Sequence, residues 1–99
     1  MIEHLHSKDF SEQLNTSFQL QTNGPEPLAM TLIEVSERND SPRLEQFVLL
    51  FRGPLSPCLP QRIYPLEHGQ LGSLSLFLVP LGPDGEGMTY QAVINRFRR

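Results

Sequence analysis

The chain has 99 residues, of which 38% are hydrophobic, and a formal net charge of −3 at pH 7. This length fits a single domain, residues 1–99, with one small core, and the composition lies in the globular rather than the disordered range. The sequence pI of about 5.5 and the scattered basic residues argue against a nucleic-acid partner, because nucleic-acid-binding domains carry a basic stripe.

No segment reaches the roughly 20 consecutive apolar residues of a membrane helix, and no signal-peptide pattern begins the chain. We therefore expect no membrane partner and a location in the cytoplasm or within an assembled particle. The single cysteine, Cys58, excludes an internal disulfide, and its proline-rich surroundings predict a small, partly buried apolar side chain. Nine prolines and seven glycines favour short strands joined by turns.

The N-terminal part predicts one helix and one strand. Residues 1–8 are expected to form a frayed terminus. A short helix follows that Ser7 can cap, with Phe10 and Leu14 on one side at i, i+4 spacing. Residues 16–21 alternate apolar and polar side chains, which indicates a half-buried strand.

Two longer strands and a loop are predicted next. Within residues 27–38 the apolar phase changes at Leu32 and Ile33, which indicates a β-bulge or sharp bend; the alternative is that both faces are covered there. Residues 44–52 are apolar on both faces, which is typical of a central or doubly covered strand. Residues 54–61 contain three prolines and predict an ordered loop that crosses one end of the fold.

The last third predicts three more strands. Residues 63–68 contain Pro65, which places this short strand at a sheet edge. Residues 73–79 and 88–95 alternate strictly and flank the turn at residues 83–87, which is the signature of a β-hairpin.

These elements predict a mainly β (α+β) fold. One short helix precedes about six sequential antiparallel strands, because short connections join antiparallel neighbours and leave no room for βαβ crossovers. We expect a small barrel or rolled sheet with the helix plugging one end, since closure hides exposed strand edges.

The second half of the chain contains a series of short segments in a defined order: Phe51-Arg52-Gly53-Pro54, Leu59-Pro60-Gln61, Tyr64, Leu66, Glu67-His68, Leu71-Gly72, Leu76-Phe77-Leu78-Val79-Pro80, Gly82, Asp84, Gly87, Tyr90, Ala92-Val93 and Asn95. Together these segments resemble a small bacterial domain family of unknown function. The resemblance extends over residues 10–96. It implies a fold unit and no assigned chemistry, and it associates such domains with phage-tail-like neighbourhoods.

Four residues are candidate ligand-binding residues: Arg52, Glu67, His68 and Arg96. Glu67 and His68 form the obvious acid–base pair, but consecutive strand residues point to opposite faces, so the pattern favours His68 as a turn residue bonded to the backbone. Arg52, Glu67 and Arg96 could form an ion-pair network at one end of the barrel.

No metal, cofactor or catalytic residue is predicted. His4 and His6 supply only two ligands, fewer than a metal site needs. The segment Asp84-Gly85-Glu86 lacks the alternating oxygen ligands of a calcium loop, and positive backbone φ angles account for its glycine. The chain has no Gly-x-Ser-x-Gly elbow, so nothing indicates a serine hydrolase.

The patterns favour a non-catalytic structural or protein-interaction module that assembles with itself or with a protein partner. Val48, Leu50, Phe77 and Val79 point away from the predicted core, and together they would form a patch of the kind that marks a partner surface. The alternatives are a small-ligand-binding β-barrel or enzyme, in which His68 and Glu67 would be tested first, and a component of a phage-tail-like particle. A small-molecule partner is disfavoured, because a six-stranded barrel is filled by its own side chains.

Overall fold

The computed structural model describes residues 5–22, 24, 26–38, 42–56 and 58–97. Its elements are α1 (Ser7–Ser11), β1 (Ser17–Leu20), β2 (Leu28–Arg38), β3 (Leu44–Gly53), β4 (Arg62–His68), β5 (Gly72–Pro83) and β6 (Met88–Phe97). All six strands pair antiparallel in one closed ring, in the order β1-β2-β3-β6-β5-β4. The predicted fold class, one helix and six antiparallel strands in a closed or rolled sheet, is confirmed. No helix within the described residues is long and apolar enough to cross a membrane.

The strand order departs from the sequential order in two pairings, β3 with β6 and β4 with β1. β3 pairs with β6, from Leu44 opposite Phe97 to Gly53 opposite Met88, rather than with β4. The connection from β3 to β4 must therefore cross one end of the ring, as predicted for residues 54–61.

Two tyrosine hydroxyls hold the described part of this crossover loop. The Leu59 N–H donates to the Tyr90 hydroxyl oxygen at 2.9 Å, and the Tyr64 hydroxyl donates to the Pro60 carbonyl at 2.6 Å. Leu59 packs against the core, whereas Cys58 is exposed. The predicted partial burial of Cys58 is wrong, because the side chain that this loop turns inward is that of its neighbour, Leu59.

A bulge lies at the predicted point of β2. The register with β3 shifts between Leu32 and Glu34, so Ile33 is the extra residue. The shift lets Leu32 and then Val35 face the interior opposite Phe51 and Leu49. The bulge interpretation of the phase change is confirmed.

Side chains fill the interior of the ring. The core contains Leu5, Phe10, Phe18, Leu20, Met30, Leu32, Phe47, Leu49, Phe51, Tyr64, Leu66, Leu74, Leu76, Leu78, Tyr90, Ala92 and Ile94. Phe18 and Phe51 meet edge to face, with their ring centroids 5.2 Å apart at 82°. The strictly alternating strands place their predicted faces in this core.

The antiparallel topology gives the ring two distinct ends. The helix end carries α1, the β4–β5 turn and the last residues of β6, and the loop end carries the crossover loop and the β5–β6 turn. At the helix end Phe10 is fully buried. The centroids of the Phe10 and Phe47 rings are 5.8 Å apart. The predicted packing of the helix against one end is confirmed.

The start of α1 differs from the prediction. His6, rather than Ser7, is the N-cap, and its N–H donates to the Asp9 carboxylate at 2.7 Å. Ser7 is buried, and its hydroxyl donates to the carboxylate of Glu37. The helix ends before Leu14, which is 39% exposed, so the prediction that Leu14 packs beside Phe10 is wrong.

The expected frayed terminus is wrong for residues 5–8. Leu5 is 6% exposed and belongs to the core, and α1 already includes residues 7 and 8. Residues 1–4, including His4 of the suggested histidine pair, lie outside the described residues.

β4 is not an edge strand. It pairs with β5 along its whole length and with β1 through Gln19–Glu67 and Leu20–Leu66. The Pro65 carbonyl accepts the Gln21 N–H at 2.9 Å and therefore points towards β1. The N–H that proline lacks would point the same way, so its absence removes no bond to β5. This short β1–β4 contact is called the seam below.

Gly87 is expected to be intolerant of a side chain. A Cβ at Gly87 would lie 2.3 Å from the Gly53 carbonyl oxygen, which is fixed by the β3–β6 ladder. Gly87→Ala should lower the free energy of unfolding by about 1–3 kcal/mol, measured by urea denaturation. Gly69→Ala is the matched control, because a Cβ there meets nothing within 4 Å, and it should change stability by less than about 0.5 kcal/mol. Equal losses in both variants would contradict the steric explanation.

Candidate functional site

His68 ends β4 and caps the turn that follows it. Its side chain is 9% exposed, and its Nδ1 accepts the N–H groups of Gln70 at 3.0 Å and Leu71 at 3.2 Å. Because Nδ1 accepts two bonds, the neutral imidazole carries its proton on Nε2. His68 is thus hydrogen-bonded to the backbone of the turn, which is the role that the sequence pattern predicts for it.

The opposite side of the His68 ring is also occupied. Nε2 lies 2.8 Å from Thr16 Oγ1, and the Thr16 hydroxyl donates to the Gln13 carbonyl at 2.6 Å. The ring packs against Phe18, with centroids 4.3 Å apart. Burial lowers the pKa of His68, so the neutral form is favoured. The ring therefore links the turn to the start of β1, and both of its nitrogens are engaged within the protein.

Glu67 lies on the opposite face of β4 from His68. It is exposed, between Gln19 of β1 and Ser73 of β5. Adjacent strand residues point to opposite faces, so Glu67 and His68 do not meet. The structure does not assemble them into an acid–base pair.

Arg52 lies at the loop end, where it holds the β5–β6 turn. Its Nε and one terminal nitrogen donate to Asp84 Oδ2 at 2.8 and 2.5 Å, and Glu86 lies 3.4 Å away. Asp84 Oδ1 accepts the N–H groups of Glu86 and Gly87. The bond from Arg52 lowers the pKa of Asp84. Gly85 has a φ of 93°, so turn geometry accounts for this segment.

Arg96 lies at the helix end and holds the N-terminal segment. Its Nε donates to Glu45 Oε1 at 3.0 Å, a terminal nitrogen donates to the Leu5 carbonyl, and the guanidinium lies 5.9 Å from the Phe47 ring centroid. Glu45 also contacts His6 at 3.1 Å. Burial alone would raise the pKa of Glu45, but the bonds from Arg96 and His6 outweigh it and lower the pKa.

The predicted network of Arg52, Glu67 and Arg96 does not form. In the β3–β6 ladder Arg52 is opposite Thr89, whereas Arg96 is opposite Glu45, seven positions away on β3. At roughly 3.3 Å per residue the two sites are about 23 Å apart. Each arginine has its own acidic partner, Asp84 or Glu45, which alternation alone could not identify.

The outer surface of β3, β6, β5 and β4 forms the most distinctive candidate site. Between Arg52 and Glu67, which lie at its margins, the outward residues of its middle part are Gln46, Val48, Leu50, Gln91, Val93, Asn95, Ser75, Phe77, Val79, Ile63 and Pro65. None of these side chains is ionisable, although 19% of the chain is charged. We call this surface the uncharged face.

An apolar row crosses the middle of the uncharged face. Val48 is opposite Val93, and Phe77 is opposite Ile63. Phe77 and Val93 also line one shallow groove between β5 and β6. Ile63, Phe77 and Val93 are 67%, 49% and 58% exposed. The row therefore presents apolar side chains of four adjacent strands to solvent.

Strand alternation predicts only part of this face. Val48, Leu50, Phe77 and Val79 do point outward together; Phe77 is exposed and the other three are half-buried. Val93 and Ile63 were not assigned to the patch, because their membership depends on which strands are neighbours. The uncharged face thus shares one compositional feature with interface cores, which are depleted in charged residues.

A family model described as a domain of unknown function, DUF6916, matches residues 5–94. The chain belongs to this family, which confirms the resemblance to an uncharacterised domain family. No curated protein and no solved structure was found to match it significantly.

The stability of the protein should depend on the protonation of His68 as the pH falls below about 6.5. The unfolded chain takes up a proton at His68 near pH 6.5, whereas burial lowers the pKa in the folded chain. The free energy of unfolding therefore has its full value above about pH 6.5. It falls as the pH drops towards the lower pKa that His68 has in the folded chain.

His68→Asn keeps an acceptor at the Nδ1 position and should abolish this slope, measured by urea denaturation at a series of pH values. It should also lower the stability at pH 7 by about 1–3 kcal/mol, through loss of the Phe18 and Thr16 contacts. His6→Asn is the control and should retain the slope. The same slope in wild type and His68→Asn would show that another group is responsible.

Proposed function

We propose that this domain is a non-catalytic protein-interaction module that assembles through the uncharged face, with a second copy of the same chain as its partner. The single observation that carries the proposal is the exposed apolar row of Ile63, Phe77 and Val93 within a surface without ionisable groups. Exposed apolar patches of this kind mark association surfaces.

The candidate ligand-binding residues make contacts within the protein, and this supports a non-catalytic role. Both nitrogens of His68 are bonded within the protein, and Glu67 points away from it. Arg52 and Arg96 are bonded to Asp84 and Glu45. These contacts stabilise turns and the terminal segment, which is a structural task.

The charge distribution favours a second copy as the occupant. Two chains of net charge −3 repel each other, but two copies of the uncharged face meet without placing like charges in contact. A two-fold arrangement would pair each apolar row with its equivalent, and such isologous dimers are the commonest soluble oligomers. Sheet faces pack well in this manner, at a spacing of about 10 Å.

Replacing the centre of the row should weaken self-association. Phe77→Thr combined with Val93→Thr removes apolar surface and retains residues that favour strands. We expect at least a tenfold increase in the dimer dissociation constant, since buried aromatic anchors dominate interface energies at about 1.4 kcal/mol or more each. Light scattering after size exclusion, over a range of protein concentrations, measures the change.

The matched control is Leu55→Thr, which replaces a 57% exposed leucine in the crossover loop, away from the uncharged face. It should leave association unchanged. A wild-type protein that stays monomeric at several hundred micromolar, or an equal loss in Leu55→Thr, would overturn the proposal. Urea denaturation of each variant separates loss of association from loss of folding.

A further inference from the structure

Two further exposed apolar side chains lie on the strands of the uncharged face. Phe97 is 78% exposed and Leu81 is 53% exposed. Phe97 points outward like Val93, because an even number of residues separates the two on β6. Leu81 is the extra residue where the register of β5 shifts between Pro80 and Gly82. The surface thus carries exposed apolar side chains beyond the apolar row.

Phe97 and Leu81 lie on opposite sides of the apolar row. Phe97 follows Val93 by four residues on β6, towards the helix end, and Leu81 follows Phe77 by four residues on β5, towards the loop end. At about 3.3 Å per residue, each lies roughly 13 Å from the row. A half-turn about an axis along the row therefore exchanges the side that carries Phe97 with the side that carries Leu81.

Two face-to-face arrangements pair the apolar row of one copy with that of a second copy. In the antiparallel arrangement the two-fold axis runs along the row, so the helix end of one copy lies beside the loop end of the other. In the parallel arrangement the axis runs along the strands, between β5 and β6, so like ends lie together. Both are aligned packings of sheets about 10 Å apart. The side chains on either side of the row distinguish them.

The antiparallel arrangement gives each of the two outlying apolar side chains an apolar neighbour. Phe97 of one copy then lies over the loop end of the other, beside Leu81, and the symmetry repeats this contact. The parallel arrangement instead sets Phe97 against Ser73 and Leu81 against Thr89, as the Val79–Gln91 register places them. Because association is driven by burial of apolar surface, the antiparallel arrangement is favoured.

The charge of the β5–β6 turn favours the same arrangement. Asp84 and Glu86 share one arginine, Arg52, so this group has one negative charge in excess, and the Glu86 side chain is exposed. In the parallel arrangement the axis passes through the turn, and the excess charges of the two copies meet. In the antiparallel arrangement the two turns lie at opposite ends of the interface, which avoids this repulsion.

Two amide side chains beside the row are also matched. Gln91 and Asn95 point outward on β6, two residues before and two residues after Val93. An axis along the row brings Gln91 of one copy opposite Asn95 of the other, and amide side chains both donate and accept hydrogen bonds. In the parallel arrangement Gln91 faces Val79 of the other copy, which has no polar group in its side chain.

We propose that two copies associate through the uncharged face in the antiparallel arrangement, with Phe97 of each copy packed against Leu81 of the other and Gln91 bonded to Asn95. This inference rests on the proposed self-association and adds the residues that fix its geometry. Because both copies use the same surface, the contact closes at a dimer and does not propagate.

Cross-linking tests the arrangement directly. Phe97→Cys and Leu81→Cys are made as separate proteins in a Cys58→Ser background, which removes the exposed native cysteine. With a bismaleimide of short spacer, an equimolar mixture of the two should give about tenfold more covalent dimer than either protein alone, because proximity in the dimer raises the effective thiol concentration. Gel electrophoresis under reducing conditions measures the yield.

Leu55→Cys mixed with Phe97→Cys is the matched control, since Leu55 is 57% exposed and lies at the loop end but away from the uncharged face. This mixture should give no more covalent dimer than either protein alone. Cross-linking of Phe97→Cys with itself would show that like ends meet. That result would overturn the arrangement and leave self-association intact, as would a dimeric mixture that does not cross-link. A wild-type protein that stays monomeric would overturn both proposals.

Paired charges on β6 give a second test. In the Gln91→Lys/Asn95→Asp protein the antiparallel arrangement sets lysine against aspartate twice, so the dimer dissociation constant should equal or fall below that of wild type. Gln91→Lys/Asn95→Lys sets lysine against lysine and should raise the constant by about tenfold or more. Light scattering measures both, and urea denaturation confirms folding. Equal weakening in the two proteins would overturn the antiparallel arrangement.

Discussion

The ladder between β3 and β6 is the constraint on which the rest of the structure depends. It pairs strands that are distant in sequence, from Leu44–Phe97 to Gly53–Met88. Because the free edge of β3 pairs with β6, the chain must cross the loop end before β4 begins. β4 then pairs with β1, which closes the ring. The same ladder places Val48 beside Val93 and Glu45 beside Arg96. The β3–β6 ladder therefore positions both the apolar row and the Arg96–Glu45 contact that holds the N-terminal segment.

An ion pair holds each end of the ring. Arg96 and Glu45 hold the N-terminal segment at the helix end, and Arg52 and Asp84 hold the hairpin turn at the loop end. The Arg96–Glu45 pair is the better shielded, with side chains 21% and 12% exposed, whereas the Arg52–Asp84 pair is more open to solvent and salt. Between them lies the uncharged face, and Glu34 of β2 and Glu67 of β4 lie at its borders.

Local patterns predicted most of the fold and little of the site. Strict alternation identified the inward faces, and the phase change at Leu32 located the bulge. Neighbouring strands could not be read from the sequence, because pairing between β3 and β6 joins residues that are 35 (Gly53–Met88) to 53 (Leu44–Phe97) positions apart. Because the neighbouring strands were unknown, the predicted arginine network is wrong, and the predicted apolar patch lacks Ile63 and Val93. The His6 cap had a local signal, Asp9 three residues on, which the preference for serine as a cap obscured.

The seam shows how the ring is held shut. Among the described residues, two register pairs and the bond from the Gln21 N–H to the Pro65 carbonyl join β1 to β4, and Pro65 supplies no donor there. The side chains that β1 contributes, Phe18 and Leu20, are nevertheless fully buried. Closure at this point thus includes a contribution from apolar contact beside the ladder hydrogen bonds. Apolar contact weakens on cooling while hydrogen-bonded ladders do not share that dependence. Cooling should therefore weaken this apolar contribution to the closure of the seam.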